Sequence, residues 1–216
     1  MNTPFSTSIL SILLAVATSA TLYAGTDSLK KGIAYQPSGN GFSFGAGAVF
    51  GIPIGDLSSM LKSNAGYQIH LAWLIKRFAI EGCVSGMFST TNTNFTLGAE
   101  KIPLHSPVEL YSVGIQVSYS LLYTDLWRVS PLLGPGWSAL TYKDNNRTGN
   151  RLTGVAGVKV EYNILGRTNL GGLRDGFVLP LYFKYSFSMP VELARDIRGG
   201  AHFFSAGVEC YLKEGD

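Results

Sequence analysis

The sequence predicts an all-β fold: a closed, antiparallel, up-and-down transmembrane barrel of about eight strands. Three observations carry this expectation. Only 14% of the 216 residues are charged, against roughly 25% in an average soluble domain. The chain holds 26 glycines together with 12 Phe and 11 Tyr, a composition of turns and rings. Mean hydropathy is positive at +0.18, yet after residue 24 no continuous apolar run reaches even half a helical span of ~20 residues. A bilayer admits only helices and closed barrels, because backbone polar groups need internal partners there. A chain with dispersed apolar content that spans a membrane must therefore do so as a barrel.

The strands follow in order. Phe42, Phe44, Ala46, Ala48 and Phe50 open the series. Tyr67, Ile69, Leu71, Trp73 and Ile75 oppose Gln68, His70 and Ala72; after a short Lys76-Arg77 turn, Phe78, Ile80, Val84 and Phe88 oppose Glu81, Cys83 and Ser85, which makes a hairpin. The clearest segment is Tyr111 to Leu121, where Tyr111, Val113, Ile115, Val117, Tyr119 and Leu121 alternate with Ser112, Gly114, Gln116, Ser118 and Ser120. Strict period two means one greasy and one polar face. At ~3.3 Å per residue and a tilt near ~40°, the steps from Tyr111 to Tyr119 cover roughly 20 Å of bilayer depth. A weaker strand over 128 to 142 carries Pro131 and Pro135. Prolines cannot donate to a ladder, so either a bulge absorbs them or the strand is displaced; Pro180 raises the same question. Ala156, Val158, Val160, Tyr162 and Ile164 oppose Gly157, Lys159, Glu161 and Asn163. Phe177, Leu179, Leu181, Phe183, Tyr185 and Phe187 oppose Tyr182, Lys184 and Ser186, and Phe204, Ala206, Val208, Cys210 and Leu212 close the series.

Side-chain size decides which face looks outward. A soluble lipocalin-like barrel has the same period with apolar side chains inside. Here the polar face is crowded with Gly and Ser, and the apolar face carries large rings. An eight-stranded interior has room only for filling side chains, so the small face belongs inside and the rings outside. The inward set gathers Glu81, Lys159, Glu161, Lys184 and Glu209 into a polar lumen cluster whose charges can pair. A lone buried charge there would be costly. The cluster reads either as a filled polar core or as a polar thread that passes ions or solutes.

Residues 1–24 read as a signal peptide: an apolar stretch from Ile9 to Ala17 precedes small residues around Ala20 and Ala24. A 25–40 periplasmic lead-in and a 41–216 barrel complete the division. Starting from a periplasmic N-terminus, external loops fall at about 51 to 65, 90 to 107, 143 to 151 and 188 to 201, with short turns at 76 to 77 and 123 to 127. The 165 to 176 connection is long for a periplasmic turn. Cys83 faces inward and Cys210 outward on strands that are not neighbours, so both are expected as free thiols. The net charge of +3 is mild and no basic run exceeds a pair, which excludes nucleic acid as a partner.

The segment from Gly45 to Leu57 (GAGAVFGIPIGDL), with Gly66-Tyr67 opening the next strand and Tyr211-Leu212 near the end, resembles the small outer-membrane β-barrel families that contain the OmpA transmembrane domain, OmpX and OmpW. The likeness is one of pattern over 41 to 212; the chain departs from it by ending in Lys213-Glu214-Gly215-Asp216 instead of an aromatic residue. It implies outer-membrane lipid and the barrel-assembly machinery as partners, and no cofactor.

The chemistry expected of the chain is spare. Some barrels of this type are lipid-modifying enzymes that use His, Ser and an acid, but His105-Ser106, His70 and His202 form no spaced triad here. No enzyme is expected. Gly45-Ala46-Gly47 continues a strand and is no phosphate loop; Asp56 is expected to cap a short helical turn; no metal-ligand cluster is visible. Two functions compete. One is an OmpW-like or porin-like conduit for small, apolar solutes, its mouth lined by Leu57, Met60 and Leu61 in loop one and Phe95, Leu97, Ile102 and Leu104 in loop two. The other is adhesion or structural anchoring, with loops such as Thr90 to Thr96 meeting host or envelope ligands.

Overall fold

Eight long strands carry the chain in the computed structural model, which describes residues 40–97, 100–124, 127–142, 149–163, 177–178, 180–194 and 197–213. The expected signal peptide, nearly all of the expected lead-in, the 165 to 176 connection and most of the expected third external loop lie outside the described residues. The strands are β1 (Asn40–Gly55), β2 (Asn64–Ile75), β3 (Phe78–Thr90), β4 (Pro107–Tyr119), β5 (Trp127–Tyr142), β6 (Gly149–Asn163), β7 (Pro180–Ala194) and β8 (Ile197–Lys213). Each pairs antiparallel with the next, and β8 returns to β1 from Gly41↔Lys213 to Gly55↔Gly199. Closure leaves no strand edge to be satisfied by hydrocarbon.

The alternation seen in the sequence sorts the two faces. Inward residues of β3, namely Ala79, Glu81, Cys83, Ser85, Met87 and Ser89, are buried. Outward residues around the wall are exposed: Phe42 and Phe44 on β1, Leu71 and Trp73 on β2, Ile115 on β4, Leu133 on β5 and Phe183 on β7. Ile115 and Leu133 are 60% and 61% exposed. A continuous belt of large apolar side chains at such exposure is not a water-facing surface. Rings pair across strands within it, as in Phe42–Trp73 and Phe78–Tyr119 at 6.4 and 4.9 Å between centroids. Among the described residues no helix is long and apolar enough to cross a membrane; the strands do so.

The connections fix the orientation. The Lys76-Arg77 turn joins β2 to β3 in two residues, with Lys76 at φ 55, the left-handed conformation such a hairpin turn demands. At the same end, Leu122 and Tyr123 fold back on Val129 and Arg128. Short turns belong to the periplasmic side, so the opposite end faces outward. There the loops are shorter than expected at two places. Loop one occupies 56–63 instead of 51 to 65, and of the 188 to 201 expected as loop four, 188–194 belong to β7 and 197–201 to β8, because β1, β7 and β8 continue beyond the apolar belt. Residues such as Ser188, Val191, Gly199 and Gly200 read as loop in the sequence, yet they keep pairing, with register shifts between Ser188 and Val191 and between Glu192 and Ala194.

The prolines of β5 are accommodated without displacing it. Pro131 and Pro135 both face outward. The β4–β5 ladder is interrupted between Gly114↔Gly136 and Val117↔Leu133 with no change of register, and beyond Ser118↔Leu132 it slips by one residue to Leu122↔Val129. Pro180 is the first residue of β7, where a missing donor is tolerated.

Candidate functional site

The barrel interior is filled in three zones, and each follows from which inward residues sit at which height. In the periplasmic half lies an ion network. Lys159 on β6 reaches three carboxylates: Glu209 on β8 at 2.6 Å, Glu161 on β6 at 2.9 Å and Glu81 on β3 at 3.2 Å. Lys184 on β7 takes the other oxygen of Glu81. The structure thus brings together all five residues of the polar set Glu81, Lys159, Glu161, Lys184 and Glu209, each at most 5% exposed.

Five further side chains complete the network. Arg128 on β5 lies 3.5 Å from Glu161 and donates to the Ser120 hydroxyl at 2.6 Å and to the Tyr211 hydroxyl at 3.1 Å. Tyr211 in turn donates to Glu161 Oε1 at 2.6 Å. His70 Nε2 lies 3.4 Å from Glu209 Oε1, and the imidazole meets the Tyr182 ring edge-on at 4.8 Å. Arg128 supplies the cation that balances the three glutamates against Lys159 and Lys184, so none of the three carboxylates lacks a cation within ion-pair distance. Its parity with Ser130 and Leu132 was the available signal; it is obscured by the two prolines that follow. Tyr211 shares inward parity with Glu209.

Space for His70 and Tyr182 comes from β1. A Cβ on Gly45 would lie 2.4 Å from the His70 ring, and one on Gly47 would lie 2.5 Å from the Tyr182 hydroxyl. Two bare positions on one strand therefore let two large side chains cross the lumen.

The middle zone is a band of hydroxyls and amides. Ser138 and Ser188 are 3.1 Å apart, and Thr153 donates to the Met189 carbonyl at 2.8 Å. Gln68 and Gln116 are also buried.

The outer zone is apolar. Val49, Met87, Leu110, Leu140, Ala201 and Phe203 point inward from the wall and pack with Leu57 and Leu61 of loop one and Ile102 of loop two. Loop one holds a single helical turn, α1 (Leu57–Met60). Asp56 does not cap it: no side-chain cap bond forms, and its carboxylate instead accepts the Arg198 amide at 2.8 Å while its own amide donates to the Arg198 carbonyl at 2.8 Å. That double tie to β8 drives Leu57 into the barrel. Loop two folds as a ribbon of Phe95–Leu97 against Glu100–Ile102, and its base is gathered by Thr91. The Thr91 hydroxyl donates to the Pro103 carbonyl at 2.7 Å and accepts the Ser106 amide at 2.9 Å. Asn92 donates to the Met60 carbonyl at 2.7 Å, joining the two loops.

The residues expected to line an open mouth are accordingly placed otherwise. Leu57, Leu61 and Ile102 are at most 2% exposed and close the mouth; Met60 and Phe95 pack against them; Leu104 is exposed; the Leu97 side chain lies outside the described residues. The physical reason is that a cluster of apolar loop residues above apolar wall residues buries more surface by collapsing than by surrounding water. A cavity with a volume of about 10 Å³ lies in the polar half, lined by Arg128, Lys159, Glu161, Glu209 and Tyr211 among others, room for about one water molecule. Among the described residues no group of three or more metal-ligating side chains is placed to hold an ion, and Cys83 and Cys210 are both free and buried.

A closed eight-stranded barrel with a lipid-facing belt, short turns at one end and loops at the other is an outer-membrane β-barrel. Solved structures are similar to it. Outer membrane protein OprG from Pseudomonas aeruginosa matches with a TM-score of 0.51 at 8% identity, covering 84% of this chain and 99% of that one. Neisserial surface protein A gives a TM-score of 0.49 at 12% identity over 80% of this chain and 97% of that one. Ail, the attachment invasion locus protein of Yersinia pestis, gives 0.42 at 14% over 79% and 98%. At 8% identity the likeness to OprG is one of fold. No family model matches the sequence, and no curated protein matches it.

Proposed function

We propose that this chain is a non-conducting outer-membrane barrel whose work is done at the outer surface by loops one and two, as an adhesive or structural envelope protein. The observation that carries this reading is the double filling of the lumen, by paired charges below and by an apolar plug above. The loops support it as well, since the ties through Asp56, Thr91 and Asn92 preorganise the surface they present, and preorganisation lowers the entropic cost of binding. Exposed Asn92, Thr93, Asn94, Lys62 and Lys101 give that surface a polar, hydrogen-bonding character. Planar-bilayer recording on the refolded protein is the test: a silent bilayer is expected, and stepwise single-channel currents would overturn the reading.

The competing role as a conduit for small apolar solutes is favoured by one observation, the apolar lining of the outer zone. In that reading α1 is a displaceable stopper. Uptake of an apolar solute into liposomes, compared between the wild type and the Leu57→Ala/Leu61→Ala variant, separates the two. Uptake by the wild type that the variant accelerates supports the conduit; uptake equal to empty liposomes supports the closed barrel.

A further inference from the structure

The outward faces of β7 and β8 break the apolar belt at one point, where an imidazole faces lipid. His202 pairs across strands with Phe187, and Tyr185 pairs with Phe204, so four rings form one cluster on the outer wall. His202 lies 5.1 Å from Phe187 and 5.9 Å from Tyr185 between centroids, and Tyr185 lies 5.2 Å from Phe204. Its height is set by the neighbouring strand, where it pairs with Ile52 towards the outer end of β1. The lipid face of a barrel is expected to be apolar, and an ionisable residue within a membrane marks function by default.

The hydrogen bond made by this imidazole fixes what it offers. The Tyr185 hydroxyl and His202 Nδ1 are 2.8 Å apart. If the phenol donates, Nδ1 accepts and the ring proton resides on Nε2, leaving one polar group, Nε2–H, to be satisfied. The reverse arrangement leaves both the phenol hydrogen and the Nε2 lone pair without partners, which is costlier in a dry surrounding. Tyr185 therefore donates, and His202 presents an N–H to the bilayer. No described residue bonds to it.

Farther out on the same parity of β8 comes Gly200, with no side chain, and then Arg198, exposed and in no ion pair among the described residues. At ~3.3 Å per residue, Arg198 stands ~13 Å along the strand from His202. Its cross-strand neighbour is Glu192, whose main-chain carbonyl accepts from Arg151 Nε at 3.1 Å. Below His202 the column continues as Phe204, Ala206 and Val208.

We propose that this column binds one outer-leaflet lipid carrying a phosphate headgroup and ester-linked acyl chains. The phosphate meets Arg198, His202 Nε2–H donates to an ester carbonyl, and an acyl chain runs over Phe204 and Val208. The site is independent of what the loops bind and depends only on the wall facing lipid.

Native mass spectrometry of the full chain, folded in detergent micelles, tests this with phosphatidylglycerol, diacylglycerol and inorganic phosphate as separate probes. Heat-modifiability on gels verifies that each variant is folded. One phosphatidylglycerol should be retained per barrel, with affinity lowered about fivefold in His202→Phe, which keeps the ring and loses one hydrogen bond. Arg198→Gln should lower it about tenfold, as expected for a charge-assisted bond, and Lys101→Gln, on loop two, should leave it unchanged. Equal retention by His202→Phe and wild type overturns the proposal, as does diacylglycerol bound as tightly as phosphatidylglycerol. Inorganic phosphate that displaces the lipid at equal concentration also overturns it, by assigning the site to the free anion. Nitrogen NMR of histidine-labelled wild type provides a reading that needs no variant: His202 protonated on Nε2 supports the donor assignment, and protonation on Nδ1 refutes it.

Discussion

Removing the central ammonium of the lumen tests how the interior is held. In Lys159→Met the three carboxylates fare differently. Glu81 keeps Lys184, and Glu161 keeps Arg128 at 3.5 Å and the Tyr211 hydroxyl at 2.6 Å. Glu209 keeps only His70, at 3.4 Å. The variant therefore strands one buried carboxylate, for which the cost is about 3–5 kcal/mol. Lys184→Met is milder, because Glu81 retains Lys159 at 3.2 Å, and about 1.5–3 kcal/mol is expected for the loss of a charged hydrogen bond. Adding Glu209→Gln to Lys159→Met removes the stranded charge and should recover about 2–3 kcal/mol, a coupling within the range for residues in contact. Urea unfolding in lipid vesicles, followed by tryptophan fluorescence and extrapolated linearly, measures all four proteins. A double variant no more stable than Lys159→Met would refute the account, because the network would then not act through the charge on Glu209.

Three further outcomes are expected. Ile115→Lys places an ammonium on the wall at a residue that is 60% exposed, and should cost about 2–4 kcal/mol near the bilayer midplane; the same unfolding assay reads it, and a neutral result would argue for a water-facing wall. Gly47→Ala should abolish or severely weaken the heat-modifiable form, since its Cβ would lie 2.3 Å from the Ala206 carbonyl oxygen, whereas Gly82→Ala, whose nearest neighbour is 3.9 Å away, should fold normally. Intact mass should show both cysteines alkylated in denaturant without any reductant; a species that takes up alkyl groups only after reduction would contradict the free thiols.

The wall was legible in the sequence because hydrocarbon imposes a demand on every second residue. From Tyr111 to Tyr119, and from Phe78 to Phe88, one face must be apolar and the alternation is plain. Where the strands rise past the hydrocarbon the demand lapses, since both faces then meet water or loops. Ser188 to Ala194 and Ile197 to Ala201 therefore look like loop although they belong to β7 and β8. The two-residue turn at Lys76 was readable from the hydrophobic runs on either side. The role of Asp56 was not, because its partner is the Arg198 backbone, and a contact over that separation leaves no mark on local pattern. Parity also gathered Glu81, Lys159, Glu161, Lys184 and Glu209 on one side, while Arg128 was hidden by Pro131 and Pro135.

Parity gives the side of the wall and not the height, and the apolar plug is a matter of height. The sequence nonetheless carries its signature, in adjacent apolar pairs that defy alternation: Val49-Phe50, Met87-Phe88, Leu110-Tyr111 and Phe203-Phe204. A strand that is apolar on both faces must be covered on both. In each pair the second residue looks out to lipid and the first looks in, and all four pairs occur at the outer end of their strands. An inward apolar ring at the open end of a barrel faces water unless something closes it. Loop one, with Leu57 and Leu61, and loop two, with Ile102, bring apolar side chains to that end. A sequence with this double-apolar signature at one end of its strands and with apolar residues in the adjoining loops thus specifies a capped barrel, where period two by itself specifies only a wall.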